Sequence, residues 1–588
     1  MEAEGTLRGR TPLRGSRALE RFEPAILTWL ALGALLVIGA VFLFYETRGT
    51  TFWFDEWLWA LERHGGGVDS LLRPHNGHLS LIPVAVYKLL FNTAGLDDYA
   101  PYRAAVIACH LAYVALLFVY VRRRLGGYLA LLAAALILFL GPGWQDILWP
   151  FQIGWLISLA AGLGALLLLD RRDRTGDAVA CVLVALSLAS LGLGVAIALG
   201  VAVEVLWGRR RLGDIWIVAG PLALYGLWWI GYGDSGAFVR HNVVLVPTYV
   251  ADAAAGAVGS LAGLASSTAL PPEVPLGWGR PLALLAVAVL LWRLAAVRPV
   301  LPRILTLLTT VLAFWTLTAL NRANISDPAS SRYVYVGAVF VVLIAAELAR
   351  GSSVSRRAAV VLTAGVALAI VSNVGVMRQA ARYLKGQAQT ARADLGAVEL
   401  ARSRMDPNRV LEHFPGFPLV LIQAGRYFAA ERDLGTPADT PAEIAREPEG
   451  SRRVADLELI ADLNVALQPT RPGIRLGRAP RIAAVTGGAV TRRGSCIAYR
   501  PAGAEPPGRP NAVGVRLPAT GLLVTAQGGP VTVSVRRFGD QWRPVGRVLA
   551  STAATLRIGA DASPLPWRVR LAPGDRAALC GLARTPTA

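Results

Sequence analysis

Apolar stretches of near-spanning length recur along this chain, and short arginine clusters separate them. A bilayer offers no hydrogen bonds to exposed backbone, so stretches of this kind can cross it only as helices. The first runs from Ala25 to about Phe44, and others follow near 101–121, 127–142, 149–169, 178–192 and 194–208. Five more lie near 214–232, 280–298, 303–320, 333–349 and 357–377. The pattern predicts an α-helical polytopic membrane protein with about eleven transmembrane helices. The run from Ala178 to Trp207 is too long for one span and is expected to fold as a hairpin at Gly192-Leu193-Gly194. With 588 residues, 54% of them hydrophobic and only 17% charged, most of the chain suits lipid rather than water.

The net charge of +20 would suit a nucleic-acid partner, but its distribution excludes that class. The arginines form clusters at the ends of apolar runs: Arg122-Arg123-Arg124, Arg171-Arg172, Arg209-Arg210-Arg211 and Arg356-Arg357. Such clusters mark the cytoplasmic loops of a multi-pass plasma-membrane protein. The tail 1–24, with Arg8, Arg10, Arg14, Arg17 and Arg21, is then cytoplasmic, and the first span is uncleaved. The loops near 46–100, 141–148, 233–279 and 321–332 face outward, as does everything after Met377. Leu79, Ile82, Val86, Leu89 and Leu90 recur at helical spacing, so Leu79–Phe91 reads as an interfacial helix within the loop 46–100.

Residues 25–377 therefore form a multi-span domain. The stretch 378–467 reads as a mainly helical extracytoplasmic connector. Residues 468–588 are rich in Gly, Pro, Val and Thr, and short β-prone runs lie between turns at Gly521–Thr525, Val531–Val535, Thr555–Ile558 and Trp567–Leu571. A small extracytoplasmic β-sandwich is expected. Cys109 and Cys181 lie in apolar spans, whereas Cys496 and Cys580 bracket the β-rich segment and are expected to form a disulfide.

The first outer loop concentrates reactive side chains. Asp55 and Glu56 follow Phe54 and precede Trp57; then come Arg73-Pro74-His75-Asn76-Gly77-His78, Lys88 in the interfacial helix, and Tyr102-Arg103 at the next span. This order resembles the first outer loop of the GT-C glycosyltransferases, the branch of protein mannosyltransferases and aminoarabinose transferases. The matching elements are Phe54-Asp55-Glu56-Trp57, Pro74-His75-Asn76-Gly77-His78, Leu79–Phe91, Thr93-Ala94-Gly95-Leu96 and Tyr102-Arg103, over roughly residues 25–125. His-Asn-Gly-His stands where the family has a Lys/His-Pro-Pro element.

The resemblance implies an inverting transfer from a polyprenyl-phosphate sugar, its lipid in the bilayer, to a glycan, lipid or protein acceptor of the cell envelope. Asp55 would be the base that takes the acceptor proton, and Glu56, the second catalytic candidate, would share that task or orient the acceptor. A departing phosphate needs cationic donors, for which Arg73, His75, His78, Lys88, Arg103, Arg322 and Arg332 are candidates. Trp57, Asn76, Trp144, Gln145, Trp149 and Gln152 combine ring faces with amides, a composition suited to sugar and acceptor. No cofactor is expected. His75 and His78 with Asp55 or Glu56 offer metal-type ligands, but two His three apart are a weak signal. Rival readings are a transporter or flippase of envelope precursors, and a non-catalytic scaffold displaying a glycan-binding domain. Glu204 is the one conspicuous ionisable residue inside an expected span.

Overall fold

In a computed structural model the protein is described over residues 25–208, 212–233, 239–265, 268, 270–274, 276–296, 302–503, 511–559 and 561–584. The expected cytoplasmic tail 1–24 and the cluster Arg209–Arg211 lie outside the described residues. The chain forms two compact units. One comprises residues up to Gly49, Glu62–Ala94 and Tyr99–Lys385; the other comprises Thr50–Leu61, Gly95–Asp98 and Gly386–Ala588.

The first unit is a helical bundle. Among the described residues of the chain, nine helices are long and apolar enough to cross a membrane, or ten if the bent pair Gly127–Leu138 and Gly141–Leu148 counts as one span. The protein is thus a polytopic helical membrane protein. Two expected spans fall short: the helices Arg174–Ser190 and Leu193–Trp207 have 17 and 15 residues, about 25 and 22 Å at helical rise. They are joined at Leu191-Gly192, within one residue of the expected turn.

The expected loop 233–279 is corrected, since Val246–Leu261 is a helix preceded by a 3-10 turn over Arg240–Leu245. Alanine, glycine and Asp252 dilute its hydrophobicity, which hides it from a search for apolar runs. Its small residues instead allow close packing. A Cβ on Gly279 of the helix Leu276–Ala296 would come within 2.5 Å of the Ala255 carbonyl. Asp252 is paired with Arg280 at 2.8 Å.

Two clusters of charge within this bundle are paired. Arg303 contacts Glu204 at 3.0 Å and Asp170 at 2.9 Å, and Thr306 donates to Glu204 at 2.8 Å. Arg124 pairs with Glu347, which also accepts from the Tyr120 hydroxyl at 2.5 Å. Glu204 is therefore one half of a structural ion pair.

The second unit holds the helical residues from Gly386 to Ala401, the helices Ala424–Leu434 and Glu449–Asp462, and eleven strands. The strands are β1 (Ala466–Pro469), β2 (Arg481–Thr486), β3 (Gly488–Arg493), β4 (Cys496–Pro501), β5 (Ala512–Arg516) and β6 (Leu522–Ala526). Then follow β7 (Val531–Arg536), β8 (Arg543–Val548), β9 (Ala553–Arg557), β10 (Arg568–Pro573) and β11 (Ala577–Gly581). They form an antiparallel six-stranded sheet in the order β1-β9-β6-β11-β4-β3 and a five-stranded one in the order β2-β5-β10-β7-β8. Alternate residues such as Leu522, Val524, Val531, Val533, Val569 and Leu571 are buried, the period-two pattern of a sandwich core. A disulfide joins Cys496 to Cys580, which lie opposite one another on β4 and β11. The buried Asp456 of Glu449–Asp462 accepts backbone N–H groups of Arg537, Phe538 and Gly539 at 2.9–3.0 Å, tying helix to sheet.

Removing one partner from a buried ion pair costs about 3–5 kcal/mol, because the other charge stays in low dielectric. Glu204→Gln strands part of the Arg303 charge and is expected to lower the detergent-solubilised protein's melting temperature by several degrees. The double change Glu204→Gln/Arg303→Met recovers much of that loss. Thermal unfolding of the three proteins checks both expectations.

Candidate functional site

The segment after the first span opens a helix, Asp55–Glu62, within the second unit as far as Leu61. Phe54 takes a positive φ of 52°, which turns the chain sharply into it. Asp55 and Glu56 occupy the first turn, where the helix dipole favours negative charge. They diverge from there. Glu56 is wholly buried, and its carboxylate accepts the Trp53 N–H at 2.9 Å, an anchor for the helix start. Asp55 stays half-exposed. Trp57 is also fully buried; it donates Nε1–H to the Phe52 carbonyl at 3.1 Å and packs edge-on against Phe414 at 5.5 Å. It is a core residue, so its expected role in sugar binding is withdrawn.

In the first unit, His75-Asn76-Gly77-His78 forms a two-residue hairpin. His75 and His78 exchange backbone hydrogen bonds of 3.0 Å, and Asn76 and Gly77 both have positive φ. Asn-Gly is the dipeptide that such a turn prefers. Three neighbours hold it. The buried Arg63 donates to the carbonyls of Arg73 and Pro74 at 2.9 and 2.8 Å. Arg322 donates to the Asn76 carbonyl at 3.2 Å, and Phe151, stacked on Trp149 at 5.0 Å, lies edge-on to His75 at 5.4 Å. Gly192 abuts the His78 ring, where any Cβ would come within 2.6 Å of Nδ1.

Burial, with the charges of Arg63 and Arg322 and the neighbouring His78, pushes the His75 imidazole down to about 3. Burial and Arg322 push His78 down to about 4. Both rings are neutral at physiological pH, which corrects their assignment as cations: each can give an anion one N–H, but no charge. Asn76 Nδ2 lies 3.1 Å from His75 Nε2, so the neutral ring accepts there and carries its proton on Nδ1. Among the described residues Arg322 spends one of its five N–H donors. It spends fewer than the buried Arg63, which gives two to the hairpin.

The other expected cations are placed elsewhere. Arg73 is exposed and pairs loosely with Asp69 at 3.4 Å. Lys88 donates to the Gly65 and Gly66 carbonyls at 3.2 and 3.4 Å, and burial and Arg63 lower its pKa. Arg103 lies over the Phe44 ring at 4.5 Å and donates to the Phe44 carbonyl. Arg332 lies over Tyr333 at 5.2 Å.

Trp144, Trp149 and Gln152 are all buried, Trp144 edge-on to Tyr383, so none offers a ring or amide to solvent. The Gln145 N–H donates to the Ser331 hydroxyl at 3.0 Å, while its side-chain oxygen is buried without a partner among the described residues. Asp146 was not among the expected site residues. It is wholly buried, neither carboxylate oxygen has a hydrogen-bond partner among the described residues, and the nearby Arg332 charge acts on it. Its signal was available: it is the only acid between Arg124 and Asp170. Among the described residues no group of three His, Cys, Asp or Glu side chains is placed to hold a metal ion.

No family profile and no curated protein matches the sequence. Among solved structures, the chain is similar to ArnT from Cupriavidus metallidurans bound to undecaprenyl phosphate, at a TM-score of 0.41 and 13% identity, over 70% of this chain and 85% of that one. It is similar to the same protein in its apo state at 0.43 and 13%, over 70% and 90%. It is also similar to the archaeal oligosaccharyltransferase AglB from Archaeoglobus fulgidus, in complex with an inhibitory peptide and a dolichol-phosphate, at 0.40 and 13%, over 70% and 64%.

Unfolded, the two imidazoles titrate near 6.5. Folded, they resist protonation to about 3 and 4, so their stability contribution is complete above pH 6.5 and is lost as pH falls from there towards 4. Chemical unfolding from pH 7.5 to 4.5 is expected to show that decline, and His75→Asn/His78→Asn to flatten it. An unchanged decline in the double variant would assign it to other groups.

Proposed function

We propose that this protein is an inverting glycosyltransferase. It moves a sugar from a polyprenyl-phosphate donor to a cell-envelope acceptor at the outer face of the plasma membrane, with its N-terminus cytoplasmic. The observation that carries the reading is the hairpin His75–His78, with two neutral imidazoles and the underused Arg322 guanidinium, in the loop whose motif order resembles that of the GT-C enzymes. Fixed positive charge with neutral N–H donors is what a phosphate leaving group needs as its charge grows.

The reaction requires a base to take the proton of the acceptor hydroxyl. Its oxygen then bonds to the anomeric carbon from the face opposite the phosphate. The bond from that carbon to the phosphate oxygen breaks, and the lipid phosphate leaves with the electron pair. Asp55 is the proposed base, supported by its place in the motif and its half-exposed position; Glu56 is committed to the helix start. Arg322 is the proposed phosphate ligand, with His75 and His78 as neutral donors. The feature that favoured a transporter, Glu204, is accounted for by its pairing with Arg303.

General-base catalysis contributes roughly 10²–10⁴ in rate. Asp55→Asn is therefore expected to lower kcat/KM by about that factor with donor KM little changed, whereas Arg322→Gln raises donor KM as well. The measurement is transfer by full-length purified protein from radiolabelled polyprenyl-phosphate sugars to envelope acceptors. Equal transfer by wild type and Asp55→Asn would sink the assigned base.

A further inference from the structure

The five-stranded sheet sets four arginines side by side. Arg481 of β2 lies directly opposite Arg516 of β5, Arg516 opposite Arg568 of β10, and Arg568 opposite Arg536 of β7. Directly opposed residues of antiparallel strands point to the same face, so these guanidinium groups form one row across the strands. At a strand spacing of about 4.8 Å, the row is about 14 Å long. Arg570 of β10 and Arg547 of β8 project from the same face.

Like charges placed directly opposite destabilise a sheet, and the nearby acids Asp540, Asp456 and Glu449 offset this only at the Arg536 end of the row. The five strands contain no Asp or Glu. Among the described residues Arg481, Arg516, Arg568 and Arg570 form no ion pair, and Arg481, Arg516 and Arg568 are exposed. Burial and the Arg568 charge lower the Arg536 pKa. The outward positions between the arginines are filled by short neutral side chains: Ala484, Gly514, Thr532, Ser534 and Ala572. Among the described residues the ring at the patch is Trp542, half-exposed, with Arg536 over it at 4.4 Å and Arg570 at 5.9 Å.

We propose that this face binds a linear anionic polysaccharide. A chain with regularly spaced carboxylates or phosphodiesters complements a straight row of charge-assisted donors. The short side chains leave a flat floor for the sugar rings, and an indole is a surface on which sugars pack. A lipid surface fits less well, because the outward positions of these strands carry no large aliphatic side chain to insert and one face of Trp542 is taken by Arg536. The inference is independent of the transferase reading, since it needs neither Asp55 nor the histidine hairpin.

Full-length protein in phosphatidylcholine nanodiscs would be titrated with polygalacturonate, with neutral dextran, and with phosphatidylglycerol vesicles. Polygalacturonate is expected to bind, weakening steeply with salt, and dextran not to. Arg516→Gln/Arg568→Gln should weaken binding by about tenfold or more, while Arg492→Gln/Arg493→Gln on β3 of the other sheet leaves it unchanged. The first double variant should also melt at the same or a higher temperature, because it relieves repulsion. Equal loss in both double variants, equal binding of dextran, or binding confined to the anionic vesicles would overturn the proposal.

Discussion

The ion pairs of the helical bundle are the interaction on which the first unit depends. Glu204, Asp170 and Glu347 lie on three helices or their ends, and Arg303 and Arg124 on two others. A charge left unpaired in low dielectric would cost several kcal/mol, so each acid restricts which helix ends can come together. Apolar packing alone would tolerate many rotations of these helices, since lipid is as apolar as their surfaces. Paired charges leave few, and that arrangement also positions the helix Pro302–Arg322, whose last residue holds the histidine hairpin.

This explains how a tight turn in a loop acquires defined chemistry. The hairpin's shape comes from Asn76 and Gly77, but its electrostatics come from its surroundings. Burial and the Arg322 charge disfavour protonation of both rings, Arg63 adds to this at His75, and the two arginines donate to backbone carbonyls. The result is a positive potential without a mobile proton.

Much of the fold was legible because its signals are local. Spanning runs, the turn before Leu193 and the strands at Leu522–Ala526 and Val531–Arg536 each follow from composition within a few residues. The helix Val246–Leu261 was not, because its alanines and glycines gain from the neighbouring helix, and a sequence window does not contain that neighbour. The site was legible in part for the same reason. Asp55, His75, His78 and Arg322 could be nominated by type and order. That His75 is neutral, that Trp57 is core, and that Asp146 is buried without a hydrogen-bond partner among the described residues depend on residues up to several hundred positions away.

Among the described residues the structure goes against stability at several places, and two of them contrast with the paired charges of the same units. A carboxyl group such as that of Asp146, buried without a hydrogen bond among the described residues, and four arginines in cross-strand register both cost free energy, which nearby acids offset in the row only at Arg536. The costly charges at Glu204 and Asp456, by contrast, meet partners within the same unit. Packing therefore accounts for Glu204 and Asp456 but not for Asp146 or the arginine row. For Arg481, Arg516 and Arg568, which form no ion pair among the described residues, the proposed counter-charge comes from outside the chain, and the short neutral side chains between them suit a polymer lying across the strands.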